Sequence, residues 1–526
     1  MQFGDWSARG ALYWPGQVAV VDVARGPAGR FTYAALDERA NRLASWLRGA
    51  AGVGRGERVG LLALNGVEVL DALLACAKLG AVLVPCNWRL HAAELADALA
   101  RTTPRALLYS GELHPLAASA LQPLALRGGA GALPALVHLD GDGLPGSTPY
   151  EAALSAGSPA PVRDDALALD DVLCLLFTGG TTGTPKAARI TYRQVAWNTF
   201  TTLVHELRPG DVTITHTPMF HTGGLFVYTL PLLTVGGRVV IMRRWDAAQA
   251  LRLLVEEQVS LFFAVPTQYQ QLLDAPGFAQ ADLSRLRFLT SGGAPMPQPL
   301  REAWRRAHPA VPFKQGFGMT EFGPGVFSME PADAERKAGT VGRPNQFVEA
   351  RVVDEAGAEC PPDAVGELLL RGPALCGGYF GDPAATAEAI DAQGWLHTGD
   401  LARRDAEGFF TIAGRCKDMF ISGGENVYPL EVEAALQLHP AVTLAAVVGV
   451  PDPRWGEVGH AFVTLRPGAQ AAPEALLEHL RQRLARYKVP KLVSVLPALP
   501  LSAAGKILKT ELRRLALAGA AQEVGP

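Results

Sequence analysis

At 526 residues the chain exceeds the roughly 250 to 300 residues at which one hydrophobic core stops growing, so two or more cores are expected. An apolar share of 48% with 19% charged residues excludes a disordered or collagen-like chain, and 48 Lys and Arg against 51 Asp and Glu, net −3, leave no overall basic field for nucleic acid. Six cysteines, with no C-x-x-C pair and no Cys/His cluster at zinc spacing, fit a reduced, cytoplasmic setting. The N-terminus, with Asp5 and no basic-then-apolar order, lacks a signal-peptide pattern.

Over the first ~125 residues, helical periods alternate with short apolar runs, the signature of α/β units. Thr32 can cap a helix whose apolar stripe is Leu36, Ala40, Leu43 and Leu47. Arg58 to Leu64 then reads as a strand, Val67 to Leu79 as a helix stopped near Gly80, and Ala81 to Pro85 as a second strand. Gly128 to Pro161, crowded with Gly, Pro, Ala and Ser, reads as a surface excursion. From Asp171 to Phe327, strands at Val172 to Phe177, Val212 to Thr217, Val239 to Met242, Leu261 to Ala264 and Leu286 to Thr290 predict a mostly parallel sheet covered by helices. Val212 to Gly237 lacks Lys, Arg, Asp and Glu over more than the ~20 residues a bilayer requires. His216, His221, Pro218, Pro231 and four glycines make it a poor span, so no transmembrane segment is expected. From 339 to 413, short strands with Gly-rich turns predict a small β subdomain. A boundary near Gly414 divides an α/β domain, 1–413, from a smaller α+β domain, 414–526, in which Val442 to Gly449 reads as a strand and Pro473 to Arg486 as a helix.

The strongest local signal follows the strand Val172 to Phe177: Thr178, Gly179, Gly180, Thr181, Thr182, Gly183, Thr184, Pro185, Lys186. Glycines let backbone N–H groups approach phosphate oxygens, threonine hydroxyls add donors and the lysine supplies a cation. The P-loop of kinases and GTPases is the first rival. It needs Gly-Lys followed by Ser or Thr, whereas here Pro185 precedes Lys186 and Ala187 follows.

This segment resembles the phosphate loop of the adenylate-forming superfamily of acyl-CoA synthetases, luciferases and peptide-synthetase adenylation domains. The further stretches of that family occur in order: Met219 to Gly224, Ser291 to Pro295, Gln315 to Glu321, Trp395 to Asp400, Gly414 to Asp418 and Pro500 to Lys506. The resemblance implies a large N-terminal AMP-binding domain with a mobile C-terminal one, and an acid:thiol ligase using ATP, Mg2+ and coenzyme A. It implies AMP or ATP contacts at Thr178, Gly179, Gly180, Thr181, Thr182, Gly183, Lys186, Gly292, Gly293, Ala294, Pro295, Gly316, Phe317, Gly318, Met319, Asp400 and Arg415. Glu321, beside Thr320, is a carboxylate suited to a magnesium ion that bridges ATP phosphates. Phe317 stands where the family more often has tyrosine, which keeps a flat face for adenine and drops the phenol. Gly179 and Ala187 replace the more usual serine and glycine.

By the same resemblance Lys506 is catalytic, touching the attacking carboxylate and the α-phosphate. Lys417 is the hinge, and Gly423, Gly424 and Glu425 enter the site to form the CoA tunnel. His221 lines the acyl site and is given a binding role, because a carboxylate substrate is already ionised and needs no general base. Gly316, Gly318 and Gly323 are expected to leave the acyl pocket deep, with Trp197, Phe200, Phe226, Met319 and Phe322 as apolar walls. A medium- or long-chain fatty acid is the expected substrate, with an aryl or coumarate-like acid as the alternative. Luciferase chemistry would share the adenylate, and a peptide-synthetase module would continue into a carrier domain. A non-catalytic acyl-adenylate sensor could dispense with Lys506 and Glu321, both present here. The sequence allows a homodimer and peripheral membrane contact.

Overall fold

A computed structural model describes residues 4–128, 133–178, 185–205, 207–502 and 506–523. The predicted helix forms at Tyr33–Ala50, with the Thr32 hydroxyl accepting from the Ala35 N–H, and Leu36, Ala40, Leu43 and Leu47 all face the core. The next runs Val67–Leu79 and ends at Gly80 with φ of 67°, where the absence of a Cβ permits the left-handed turn.

Two sheets fill the large domain. Strands Arg58–Leu62, Val82–Pro85, Ala106–Tyr109 and Val172–Thr178 form the parallel centre of a seven-stranded sheet. The nine-stranded sheet is parallel through Val18–Asp22, Arg238–Ile241, Val212–Thr215, Leu261–Ala264, Phe288–Ser291 and Phe313–Met319, with antiparallel strands at its edges. Leu70, Leu73 and Cys76 join Val20, Val239 and Ile241 of one sheet to Val59, Leu61, Leu108 and Cys174 of the other in one core.

Three expectations are corrected. Val172–Thr178 belongs to the sheet of the first 150 residues, not to that of the strands after it. The Gly/Pro-rich stretch is more than a surface excursion: Ala135–His138 adds a parallel strand, and Val137 and Tyr150 are buried. Phe200, offered as a pocket wall, is 53% exposed, while Phe322 is locked in a core with Val326 and Phe410.

The uncharged stretch 212–237 folds as a strand and two short helices, Thr222–Phe226 and Thr229–Thr234. Among the described residues, no helix is long and apolar enough to cross a membrane. The β subdomain is a four-stranded antiparallel sheet, Glu349–Val353, Gly366–Arg371, Leu396–Arg404 and Phe410–Arg415. The next strand, Phe420–Ser422, already belongs to a separate five-stranded sheet, so residues 416–419 are the crossing. That last sheet packs Val432, Leu436, Leu476 and Leu480 on one side and Leu512 and Ala516 on the other.

Candidate active site

Parallel strands deliver their carboxyl ends to one edge of a sheet, where open α/β folds bind ligands. Four strands of the nine-stranded sheet do this here: Val212–Thr215 leads to His221, Leu261–Ala264 to Val265, Phe288–Ser291 to Gly292 and Gly293, and Phe313–Met319 to Thr320 and Glu321. Val172–Thr178 of the other sheet leads into the phosphate-loop motif. Gly179, Gly180, Thr181, Thr182 and Gly183 of that motif lie outside the described residues. Its two ends are held: the Thr178 hydroxyl donates to the Lys186 carbonyl at 3.3 Å, and Arg101 donates to the Pro185 carbonyl at 2.9 Å.

Glu321 and Thr320 sit at the tip of the hairpin made by Phe313–Met319 and Gly323–Met329. Gln194 donates to the Thr320 carbonyl at 2.9 Å, the Cys376 N–H donates to the Glu321 carbonyl at 2.8 Å, and the Tyr379 hydroxyl donates to Glu321 Oε1 at 2.9 Å. The glycines of the hairpin differ in purpose. A Cβ on Gly316 would meet the Ser291 carbonyl oxygen and Thr290 Cγ2 at 3.8 Å, ordinary van der Waals contact, so a methyl group is accommodated there. A Cβ on Gly318 would stand 2.3 Å from the Pro324 carbonyl oxygen, so close backbone approach requires glycine there. Gly323 takes φ of 87° in the tight turn. Phe317 packs against Phe327 at 5.7 Å between ring centroids, and Met319 joins the same cluster.

The β subdomain contributes Asp400, 5% exposed, whose Oδ1 accepts from Arg415 Nε at 2.8 Å. Burial raises the Asp400 carboxyl above its ordinary range, and Arg415 works against that rise. The C-terminal domain contributes Lys506, tied to Ser502 by Ser502 N–H to Lys506 carbonyl and Lys506 N–H to Ser502 Oγ bonds, at 2.6 and 3.1 Å. Its Cε lies 3.9 Å from where a Cβ on Gly293 would stand, and its charge feels Arg415, Asp400 and Glu321. The side chain retains solvent access. Burial by the surrounding cleft lowers the ammonium from its ordinary value, and Arg415 adds to that. The structure therefore brings together Lys506, Gly293, Asp400, Arg415 and Glu321, drawn from three separately folded parts of the chain.

His221 stands just before the short helix Thr222–Phe226, its ring 4.5 Å from that of Phe220. Burial, with Lys506 and then Arg89 nearby, pushes its imidazole down to about 4, so it is neutral at physiological pH. Its Nε2 is buried without a hydrogen-bond partner among the described residues. A buried orphan of this kind calls for an explanation, and a ligand atom supplies one. The Gly423–Glu425 turn stands in solvent, with Gly423 and Gly424 at φ of 61° and 88° and the Gly423 N–H bonded to the Trp455 carbonyl. Lys417 is exposed in the crossing between sheets. Ala294 and Pro295 are exposed at the rim beside Gly293. Among the described residues no group of three or more His, Cys, Asp or Glu gathers to cage a metal. Magnesium needs none, since it is commonly bound by one or two carboxylates plus substrate phosphates, and Glu321 fits that requirement.

The sequence reading passed over Tyr379 and Gln194. The only local signal for Tyr379 was the Gly377-Gly378 pair before it, a mark of close backbone approach.

The model of the AMP-binding enzyme family matches residues 8–380, and that of the AMP-binding enzyme C-terminal domain matches residues 431–506. Feruloyl-CoA synthase from Amycolatopsis sp is 41% identical over 512 residues, covering 97% of this chain and 98% of that protein. An indoleacetate–CoA ligase from Aromatoleum aromaticum is 38% identical, covering 98% of each. A long-chain-fatty-acid–CoA ligase from Mycobacterium tuberculosis is 35% identical, covering 92% of this chain and 93% of that one. Among solved structures, the anthranilate CoA ligase AuaEII in complex with anthranoyl-AMP superposes with a TM-score of 0.90 at 28% identity, covering 99% of this chain and 98% of that one. The chain belongs to the AMP-binding enzyme family and is an AMP-forming acid:thiol ligase of the adenylate-forming superfamily.

Proposed function

We propose that the chain activates an aromatic carboxylic acid, of the aryl or arylalkenoic class, as its CoA thioester with magnesium-bound ATP. A carboxylate oxygen attacks the α-phosphorus and pyrophosphate leaves; the CoA sulfur then attacks the acyl carbon and AMP leaves. The observation that carries the two-step reading is the placement of Lys506 over Gly293 and beside Asp400, Arg415 and Glu321. A cation there meets the charge that builds as carboxylate and α-phosphate approach. Lys186 and the residues around it would hold the outer phosphates, Asp400 the ribose hydroxyls, Phe317 the adenine face, and Glu321 the magnesium ion, which supplies charge neutralisation when bound.

The aromatic reading rests on the ranking of relatives: feruloyl and indoleacetate ligases stand at 41% and 38% identity against 35% for a long-chain fatty-acid ligase. A medium- or long-chain fatty acid is the second reading, favoured by the long-chain-fatty-acid–CoA ligase that is 35% identical over 92% of this chain. The test is a kcat/KM series for thioester formation on hydroxycinnamates, aryl-acetates, benzoates and saturated acids of eight to sixteen carbons. Aromatic acids ahead by about tenfold or more support the first reading; saturated acids ahead would replace it with the second.

A further inference from the structure

Tyr379 is tied to both anion-handling sides of the site. Its hydroxyl donates to Glu321 Oε1 at 2.9 Å, and the Lys186 ammonium lies 5.1 Å from the centroid of its ring. The backbone fixes it in that place. Residues 377–380 run antiparallel to the strand Lys186–Thr191: the Gly377 N–H donates to the Arg189 carbonyl at 2.9 Å, the Arg189 N–H to the Gly378 carbonyl at 2.8 Å, and the Phe380 N–H to the Ala187 carbonyl at 2.8 Å. Its own N–H donates to the Thr386 hydroxyl at 2.9 Å, and the preceding Gly378 turns at φ of 84°. The Cys376 N–H, three residues before it, holds the Glu321 main chain at 2.8 Å. One short segment thus registers the strand that begins with Lys186 against the hairpin tip that carries Glu321.

We propose that Tyr379 is a positioning residue for metal-bound nucleotide: by donating to one oxygen of Glu321 it sets the carboxylate's rotation and leaves the other oxygen for the divalent cation. Its ring face meanwhile holds the Lys186 ammonium near the phosphates by cation–π attraction. The inference rests on the reading of Glu321 as the metal-facing carboxylate. Orientation of ligating carboxylates by such outer hydrogen bonds is a general feature of metal sites, and their removal costs affinity.

Two substitutions separate the roles. Tyr379→Phe keeps the ring and removes only the hydroxyl; Tyr379→Leu removes the ring as well. Mn2+ binding to each full-length protein with a non-hydrolysable ATP analogue, followed by electron paramagnetic resonance, reads the metal without turnover. Tyr379→Phe is expected to weaken Mn2+ about tenfold, as loss of one hydrogen bond to a charged group implies. Its melting temperature and its affinity for metal-free nucleotide should remain near wild type. Tyr379→Leu is expected to weaken metal-free nucleotide in addition. Glu321→Gln serves as the control for the underlying reading. If Glu321→Gln loses Mn2+ while Tyr379→Phe binds it like wild type, the positioning role is overturned. If Glu321→Gln itself binds Mn2+ normally, the reading of Glu321 fails and the inference falls with it. Lowered melting temperature with unchanged Mn2+ affinity in Tyr379→Phe would reduce Tyr379 to a structural tyrosine.

Discussion

The two carriers of charge that face each other across the site are held in different ways. Glu321 is clamped: its side chain, its carbonyl and the carbonyl of Thr320 each accept a hydrogen bond, from Tyr379, Cys376 and Gln194. Among the described residues Lys506 is tied through its main chain to Ser502, and it reaches Asp400 and Glu321 through space with no side-chain hydrogen bond to either. The polar clamp is built into the large domain. The lysine arrives with a domain joined through the crossing 416–419. On the proposed reading both groups serve adenylation, but only Lys506 is lent by a part of the chain that can leave. In this arrangement Lys506 lies near Gly293 while the Gly423–Glu425 turn is in solvent.

Removing the lent group gives the largest expected effect. Lys506→Ala should slow acid-dependent adenylation by about 10² to 10³, while thioester formation from supplied acyl-adenylate stays near wild type; equal losses in both half-reactions would erase the distinction between clamped and lent groups. Stiffening the crossing comes next. Lys417→Pro fixes φ and should spare adenylation in single-turnover assays while slowing the thioester step, and unchanged rates for both would count against motion at this residue. The large domain can then be probed at Gly316. Gly316→Trp adds a large side chain where a Cβ would meet the Ser291 carbonyl oxygen and Thr290 Cγ2 at 3.8 Å, and should cost bulky acids about tenfold or more in kcat/KM relative to small ones; an unaltered profile would show that this face does not bound the acyl pocket. The smallest effect concerns stability. The His216 imidazole, buried against the Phe263 carbonyl, is pushed down to about 4, against ~6.5 in an unfolded chain. The unfolded state therefore takes up the proton first. The stabilisation is complete above ~6.5 and is lost as pH falls towards 4, on the order of 1 to 2 kcal/mol between pH 7 and 5. Urea midpoints at the two pH values, compared with His216→Gln, measure it, and an equal slope in the variant would remove His216 from the account.

Much of this architecture was legible because it is local. A helix cap at Thr32, a stop at Gly80 and the strand before the phosphate loop each depend on residues a few positions apart. The motifs also announced Glu321, Asp400, Arg415 and Lys506, and the structure assembles them. Sheet membership was not legible. Nothing near Val172 says whether it pairs with Val82–Pro85 or with Val212–Thr215, since pairing partners are chosen over long separations by packing. The same limit hid Tyr379, whose importance arises from its place beside Ala188, nearly the length of a domain away in sequence. Composition misled at 128–161, where Gly and Pro outweighed the buried Val137 and Tyr150. Phe200, offered as a pocket wall, packs edge-on against Trp197 and leaves half its surface in solvent, a placement set by contacts across the fold and not by its neighbours in sequence.

The most direct test of the ligase account follows product identity in one reaction: ATP, magnesium and a panel of aromatic and saturated acids, with and without CoA. With CoA, the account predicts acid-dependent formation of pyrophosphate, AMP and acyl-CoA in equal amounts; without CoA it predicts pyrophosphate and acyl-adenylate with no acyl-CoA. Release of ADP and phosphate, or no pyrophosphate with any acid of the panel, would contradict it.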